Sequence, residues 1–558
     1  MRSPFYLLLT LLTLAACQSK EPVYDTIIRN GMIYDGSGSS PFHGDIAIQA
    51  DTIVQIGALG SASAKNEVDA GGLAVAPGFI NMMGHSEESL IIDGRSQSDL
   101  KQGVTTEIFG ELSFGPLNDG MKERMKKSQV DISYEVGWNT LGEYMQFVEN
   151  KGIACNIASF VGTGAVRQYV IGEGNVAPTP AQLDSMKGLV RQAMEEGALG
   201  VTNALIYPVD FFAGTNELIA LAKVAAEYGG TYSSHMRSEG NKLLEAVEEL
   251  ITISKEAGIP AEIFHLKAAG KNNWPKMDSV IRRVERARKE GLEVAADMYT
   301  YVAGATGLSS SFPPTLQDGG FGKLRERLMN PAVRAQVKKA MHVDANDWEN
   351  LYYGAGGPEH ILLLAFKQDS LKKYTGKTLA QVAALRGTSP EETAMDLVIQ
   401  DSTRVGVAYF LMSEENVAKQ VSLPWVSFGS DEASYTAEGV FLKSMAHPRA
   451  YGNFARVLGR YTRDEKRMPL QEAIRKLASL PAKHLRLNRR GNLQPGYYAD
   501  IVIFDPATIA DHATFENPHQ YATGVSQVFV NGVQVLKDGN PTGAKPGRFV
   551  RGPGWKPH

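Results

Sequence analysis

The sequence predicts an α/β fold, a (β/α)8 barrel, on three observations. Short apolar runs recur along the chain at residues 73–86, 104–110, 153–162, 199–208, 229–234, 260–264, 293–301 and 424–430. Runs of this kind suit parallel strands buried on both faces. Helical patterns lie between several of them, and residues 241–258 place Leu244, Val247, Leu250, Ile251 and Ile253 along one stripe. Several runs also close on metal-capable or acidic residues: His85, Glu111, His235, His265 and Asp431. In a parallel barrel the C-terminal strand ends share one face, where catalytic residues gather.

The bulk numbers agree with an enzyme-sized globular chain. At 558 residues it exceeds one compact core, so a large domain with appendages is expected. Its 43% hydrophobic and 21% charged content is ordinary. A net charge of −4 without a long Lys/Arg run argues against nucleic acid as partner. Two cysteines, Cys17 and Cys155, exclude a disulfide framework; Cys155 sits in an apolar run and reads as packing.

Taken in order, residues 1–17 read as a signal segment, with Arg2 ahead of an apolar stretch too short to span a bilayer. Leu14-Ala15-Ala16-Cys17 resembles the lipobox of bacterial lipoproteins, which implies lipidation at Cys17, residues 18–23 as a tether, and an exported, membrane-anchored protein facing the periplasm. An ordinary secretory signal with a chance cysteine is the alternative. Residues 24–72 read as short strands and tight turns, and residues 486–551 answer them, with Asn531-Gly532 as a hairpin turn. The two ends are expected to form one small β-domain, with the barrel spanning residues 73–485. Residues 309–419 are too long for an ordinary connection and carry helical patterns at 323–341, 378–386 and 390–401, so a helical subdomain is expected there.

His235 and His265 are the strongest pair, since each closes a run and strands five and six of a barrel are neighbours. Catalytic zinc typically takes three protein ligands and keeps one position open. Glu111, at the end of strand two, fits as the third. Asp431 would face the metal's water from strand eight and act as the general base; its alternative is an N-cap for a following helix. His85 is a further candidate, for a weak second ion or for polarising a substrate carbonyl, and His447 before Pro448 reads as a loop-ordering residue.

At this point the chain resembles the amidohydrolase superfamily, and within it the D-aminoacylase, or N-acyl-D-amino-acid deacylase, family. The resemblance rests on Ala76-Pro-Gly-Phe-Ile80, Gln102-Gly-Val-Thr-Thr106, Ser234-His-Met-Arg-Ser-Glu-Gly240 and His265-Leu-Lys267. Asp297-Met-Tyr-Thr-Tyr-Val-Ala-Gly304, Gly429-Ser-Asp431, His447-Pro-Arg449 and Gln494-Pro-Gly-Tyr-Tyr-Ala-Asp500 complete it. It implies a zinc-bearing barrel with a small β-domain that hydrolyses an N-acyl amide. It also implies a substrate-carboxylate set of Lys267, Tyr299 and Arg449, with Tyr301 competing for the tyrosine role and structural ion pairs as the alternative for the two cations. Two departures stand out. The family's His-x-His reads Met83-Gly84-His85 here, and its cysteine ligand after strand two is absent, with Leu112 opposite it in one alignment and Glu111 beside it. Methionine is a poor zinc ligand, so one tight zinc is expected.

The leading expectation is a zinc-dependent amidohydrolase that hydrolyses the amide bond of an N-acyl-D-amino acid or a related small amide. A cyclic amidase or dipeptidase on the same scaffold is the second reading. A lipid-anchored binding protein that holds a ligand without turnover is the third.

Overall fold

The computed structural model describes residues 23–557. The signal segment, Cys17 and the tether up to residue 22 lie outside the described residues. Barrel strands one to four are Phe79–Asn81, Val104–Phe109, Asn156–Ser159 and Gly200–Ala204; five to eight are Thr231–His235, Ala261–Ile263, Val294–Met298 and Val426–Phe428. Every residue in them is buried, as expected of strands with the core on one side and helices on the other. Strand three is interrupted at Phe160 and resumes as Val161–Gly162, which carries the pairing to strand four. Neighbours pair in parallel throughout. Backbone hydrogen bonds join the last strand to the first: Met82 N–H donates to the Phe428 carbonyl at 3.1 Å and Asp431 N–H to the Met83 carbonyl at 2.9 Å.

Ile80, Met83, Ile108, Phe160, Leu199 and Phe264 belong to one buried cluster, which also takes Ala482 from the helix Ser479–His484 and Leu485 and Leu487 just after it. The helices supply a second shell. Leu243–Ala257 buries Leu243, Val247, Leu250 and Ile253, while Leu244, expected on the buried stripe, is only partly covered. Cys155 is fully buried and serves packing.

Strands from both chain ends share a nine-stranded sheet. Val23–Ile33 pairs with Phe42–Gln49, Ser63–Asp69 and Ala74–Pro77; Ala74–Pro77 pairs with Ile501–Phe504, which continues through Val525–Val530 and Val533–Lys537. The expected boundary at residue 73 is therefore displaced. Ala74–Pro77 belongs to this sheet, and only Phe79–Asn81 to the barrel. Gly78 makes the passage, because a Cβ there would lie 2.2 Å from the Thr105 hydroxyl oxygen of strand two. The far end is displaced too: residues 547–552 leave the sheet and run along the barrel, with Gly547 N–H donating to Ile153 O and Val550 N–H to Ile157 O. A buried polar network fastens sheet to barrel. Asn531 donates from its backbone N–H to Asp500 Oδ1 (2.8 Å) and from its side chain to Oδ1 of Asn156 in strand three (2.7 Å).

The inserted subdomain is mixed, not purely helical. Ala303–Gly307, Gly406–Phe410 and Ile361–Ala365 form a three-stranded antiparallel sheet, and Leu308, Phe312, Leu328, Val398, Val407 and Tyr409 share a core separate from the barrel's. The expected helix at 323–341 is two, Phe321–Leu328 and Pro331–Met341, since Pro331 starts a helix and cannot continue one. Glu414–Val421 packs Val417, Ala418 and Val421 into the barrel's main core, so the insertion ends before residue 419. Among the described residues, no helix is long and apolar enough to cross a membrane.

Candidate metal centre and active site

The strand ends aim the predicted residues at one point. His235 is the last residue of strand five, and His265 follows strand six with φ +35°. Asp431 follows strand eight with φ +50°. Left-handed backbone at a non-glycine residue costs roughly 1–2 kcal/mol, and such strain collects where side chains must be aimed. Glu111 is turned inward by Gly110, whose φ is +120° and where a Cβ would lie 2.5 Å from Phe160 O. Leu112 is half exposed, so the carboxylate and not its neighbour meets the histidines.

Glu111 Oε1 lies 2.9 Å from His235 Nδ1 and 3.5 Å from His265 Nε2. Its other oxygen lies 3.3 Å from His85 Nε2, which is 3.2 Å from Asp431 Oδ1. Two groups of possible ligands result, Glu111–His235–His265 and His85–Glu111–Asp431, each with one ligand atom per residue within 4.8 Å of the others. The first is wholly buried and offers the N and O donors zinc takes. His235 Nε2 is buried and makes no hydrogen bond, an orphaned donor site consistent with an ion there. Burial pushes the Glu111 carboxyl up, but hydrogen bonds from His235, His265 and His85 outweigh it and hold it well below the usual range. Burial likewise raises Asp431, and Arg449, then His265 and His85, bring it far lower. A buried site with two ionised carboxylates among imidazoles is built for a cation.

The expected carboxylate set shares this cavity, which holds about 510 Å³. Lys267 Nζ lies 2.6 Å from Glu239 and 5.5 Å from the Tyr299 ring centre. Arg449 is buried over the same ring at 4.3 Å, with Nη1 2.7 Å from Asp431 Oδ2 and Nη2 donating to the Asp431 carbonyl at 2.5 Å. Each cation thus has the structural ion pair that competed with its substrate role. Tyr299 keeps its hydroxyl free of hydrogen bonds and buried in the cavity wall, whereas Tyr301 turns away to Asp511 at 3.4 Å. Asp431 caps no helix: the next one, Gly439–Leu442, begins after Glu438. His447 orders its loop, Nε2 donating to Ala303 O at 2.9 Å and Nδ1 accepting from Arg449 N–H at 3.1 Å. Met83 is buried in the barrel beside Ile80 and Ile108 and offers no ligand.

A model of the amidohydrolase family matches residues 66–536. The chain is 31% identical over 538 residues, 96% of its length and 99% of the relative's, to D-aminoacylase of Alcaligenes xylosoxydans xylosoxydans. It belongs to the amidohydrolase family, in the D-aminoacylase branch. Its fold is similar to that of N-acyl-D-glutamate deacylase from Bordetella bronchiseptica solved with zinc and a phosphonate mimic of the tetrahedral intermediate (TM-score 0.79, 28% identity, 95% and 100% of the two chains). It is similar also to a D-aminoacylase described by a binuclear metal centre with one-metal activation and second-metal attenuation (TM-score 0.77, 29% identity, 95% and 100%).

In this amidohydrolase the sequence reading passed over Glu239. Its carboxylate lies 2.9 Å from His265 Nδ1 and 3.7 Å from His235 Nε2 and takes the Lys267 ammonium. Burial raises it, but Lys267, His235 and His265 bring it down to about 2. It orients the imidazole of His265, as carboxylates beside ligating histidines do. The spacing of four residues from His235 was its one available signal. Tyr207, packed edge-on 5.2 Å from the His235 ring, gave none.

Proposed function

We propose that this protein is a zinc-dependent deacylase hydrolysing the amide bond of N-acyl-D-amino acids. The observation that carries the reading is the buried Glu111–His235–His265 group beside Asp431, in a cavity whose wall bears Lys267, Tyr299 and Arg449. The relatives named D-aminoacylase and N-acyl-D-glutamate deacylase support the substrate class. Zinc held by the three ligands would polarise the scissile carbonyl and lower the pKa of a water towards neutrality. Asp431 takes the water's proton and delivers it to the departing nitrogen. Tyr299, whose hydroxyl burial raises to about 12 against the pull of Lys267 and Arg449, stays a neutral donor for the substrate carboxylate, with Lys267 as point charge. Arg449 holds Asp431 in place and closes the same wall.

A panel of N-acetyl-D- and L-amino acids, dipeptides and hydantoins, followed by amine release, tests this reading. Turnover of N-acyl-D-amino acids is expected. Turnover confined to hydantoins or dipeptides would replace it with the cyclic amidase or dipeptidase reading, and none by zinc-loaded protein would leave a binding protein.

One tightly held zinc per chain is part of the proposal. The second ligand group has a single imidazole and shares Glu111 with the first, while its Asp431 is already paired with Arg449. Elemental analysis after mild dialysis should give about one zinc, and Met83→His should raise capacity for a second ion. Two tightly held ions in the parent protein would overturn the count.

The lipobox-like residues 14–17 support an exported, lipid-anchored protein in the cell envelope, facing the periplasm. Cys17→Ser should abolish fatty-acid labelling and release the protein from membranes; unchanged membrane association would remove the anchor.

A further inference from the structure

Among the described residues, three Lys or Arg side chains line the active-site cavity. Lys267 is paired with Glu239 and Arg449 with Asp431. Arg404, the third, has no carboxylate partner among the described residues. It stands just before the inserted strand Gly406–Phe410, half-buried, with its guanidinium over the Tyr207 ring at 4.6 Å and Nη2 donating to Thr306 Oγ1 at 2.8 Å. The Tyr207 hydroxyl donates to the same Thr306 oxygen at 2.8 Å, so ring and guanidinium are held as one unit. The Tyr207 ring also packs against the His235 ring, with centres 5.2 Å apart. One aromatic ring therefore touches both a guanidinium lacking a counter-ion and an imidazole of the metal centre.

A guanidinium offers five donors in a planar fork suited to carboxylate, and one hydrogen bond leaves most of that fork unused. An anion placed there would be held by charge-assisted bonds. Glu87 and Glu88 line the cavity too, but neither reaches ion-pair distance of Arg404. We propose that Arg404, stacked on Tyr207, is a specificity residue that receives a second carboxylate of the substrate, beyond the one met by Tyr299 and Lys267. The substrate class is then an N-acyl amino acid with a distal carboxylate, carried on the amino-acid side chain or on the acyl group. The inference rests on the deacylase reading above.

Matched acid and amide pairs test it: N-acetyl-D-glutamate against N-acetyl-D-glutamine for the side chain, and N-succinyl-D-alanine against its terminal amide for the acyl group. In one pair the acid should show a kcat/KM roughly 10- to 100-fold higher, the range expected of one hydrogen-bonded charge pair. Arg404→Gln should collapse that acid-to-amide ratio to within about threefold of unity, and Arg404→Lys should keep part of it. Calorimetric binding of D-glutamate against D-glutamine, and of succinate against succinamate, to zinc-loaded protein gives the same comparison without turnover. Ratios near unity in both pairs for the parent protein, or an unchanged ratio in Arg404→Gln, would overturn the proposal. If no N-acyl amino acid is hydrolysed, the deacylase reading falls, and the binding pairs still decide the role of Arg404.

Discussion

Asp431→Asn should leave zinc bound while kcat falls on the order of 10²–10⁴-fold, the loss expected when a general base is removed with its shape kept. Asp431 touches both halves of the site, His85 through Oδ1 and Arg449 through Oδ2 and its own backbone carbonyl. The amide therefore also leaves the buried Arg449 guanidinium without its counter-charge, and breaking a buried pair costs about 3–5 kcal/mol. A lower melting temperature should accompany the loss, so kcat must be read well below it. Arg449→Lys separates the two roles of that arginine. Keeping the charge but losing the planar fork, it should lower kcat if it acts by holding Asp431, and raise KM if it acts on the substrate. The 2.7 Å pair with Asp431 predicts the kcat effect, where the sequence alone suggested KM. An Asp431→Asn enzyme within tenfold of the parent would reduce Asp431 to an anchor for Arg449.

The second large effect concerns Glu111. Glu111→Gln replaces the one carboxylate that faces His85, His235 and His265 together. Removing a partner that merely orients a ligand weakens metal binding about 10–100-fold, and loss of the ligand itself should exceed that. Zinc content after dialysis should fall well below one per chain, activity should fall with it, and zinc should no longer raise the melting temperature as it does for a protein that binds it only when folded. Leu112→Ala, changing a half-exposed rim residue, should keep its zinc. Equal zinc in Glu111→Gln and parent would mean that the third ligand is elsewhere.

Much of the architecture is legible because burial leaves a periodic or apolar mark. The barrel strands were found as apolar runs, and Leu243–Ala257 as a stripe, since each must hide its side chains. The errors occurred where that mark is ambiguous. Ala74–Pro77 and Phe79–Asn81 form one unbroken apolar run, yet belong to two sheets, because Gly78 lets the chain pass against Thr105 without a change in hydrophobicity. Ala303–Gly307 is too rich in small residues to read as a strand, and pairs only because Gly406–Phe410, about a hundred residues on, supplies its partner.

By itself, then, the sequence determined the class of fold and the inventory of the site. A run that ends in His235, another in His265, and acids after strands two and eight are one-dimensional facts, and barrel geometry turns them into a ring of donors. Partnership was decided by the tertiary structure alone. Substrate binding and a structural ion pair stood as alternatives for Arg449 and Lys267 until Asp431 and Glu239 are placed within 2.7 and 2.6 Å of them, and nothing in the order of residues marks Arg404, which the insertion folds over Tyr207. Coulomb energy depends on separation and on the burial of both charges. Neither quantity is written in the order of residues; both exist only when distant segments meet in the same cavity.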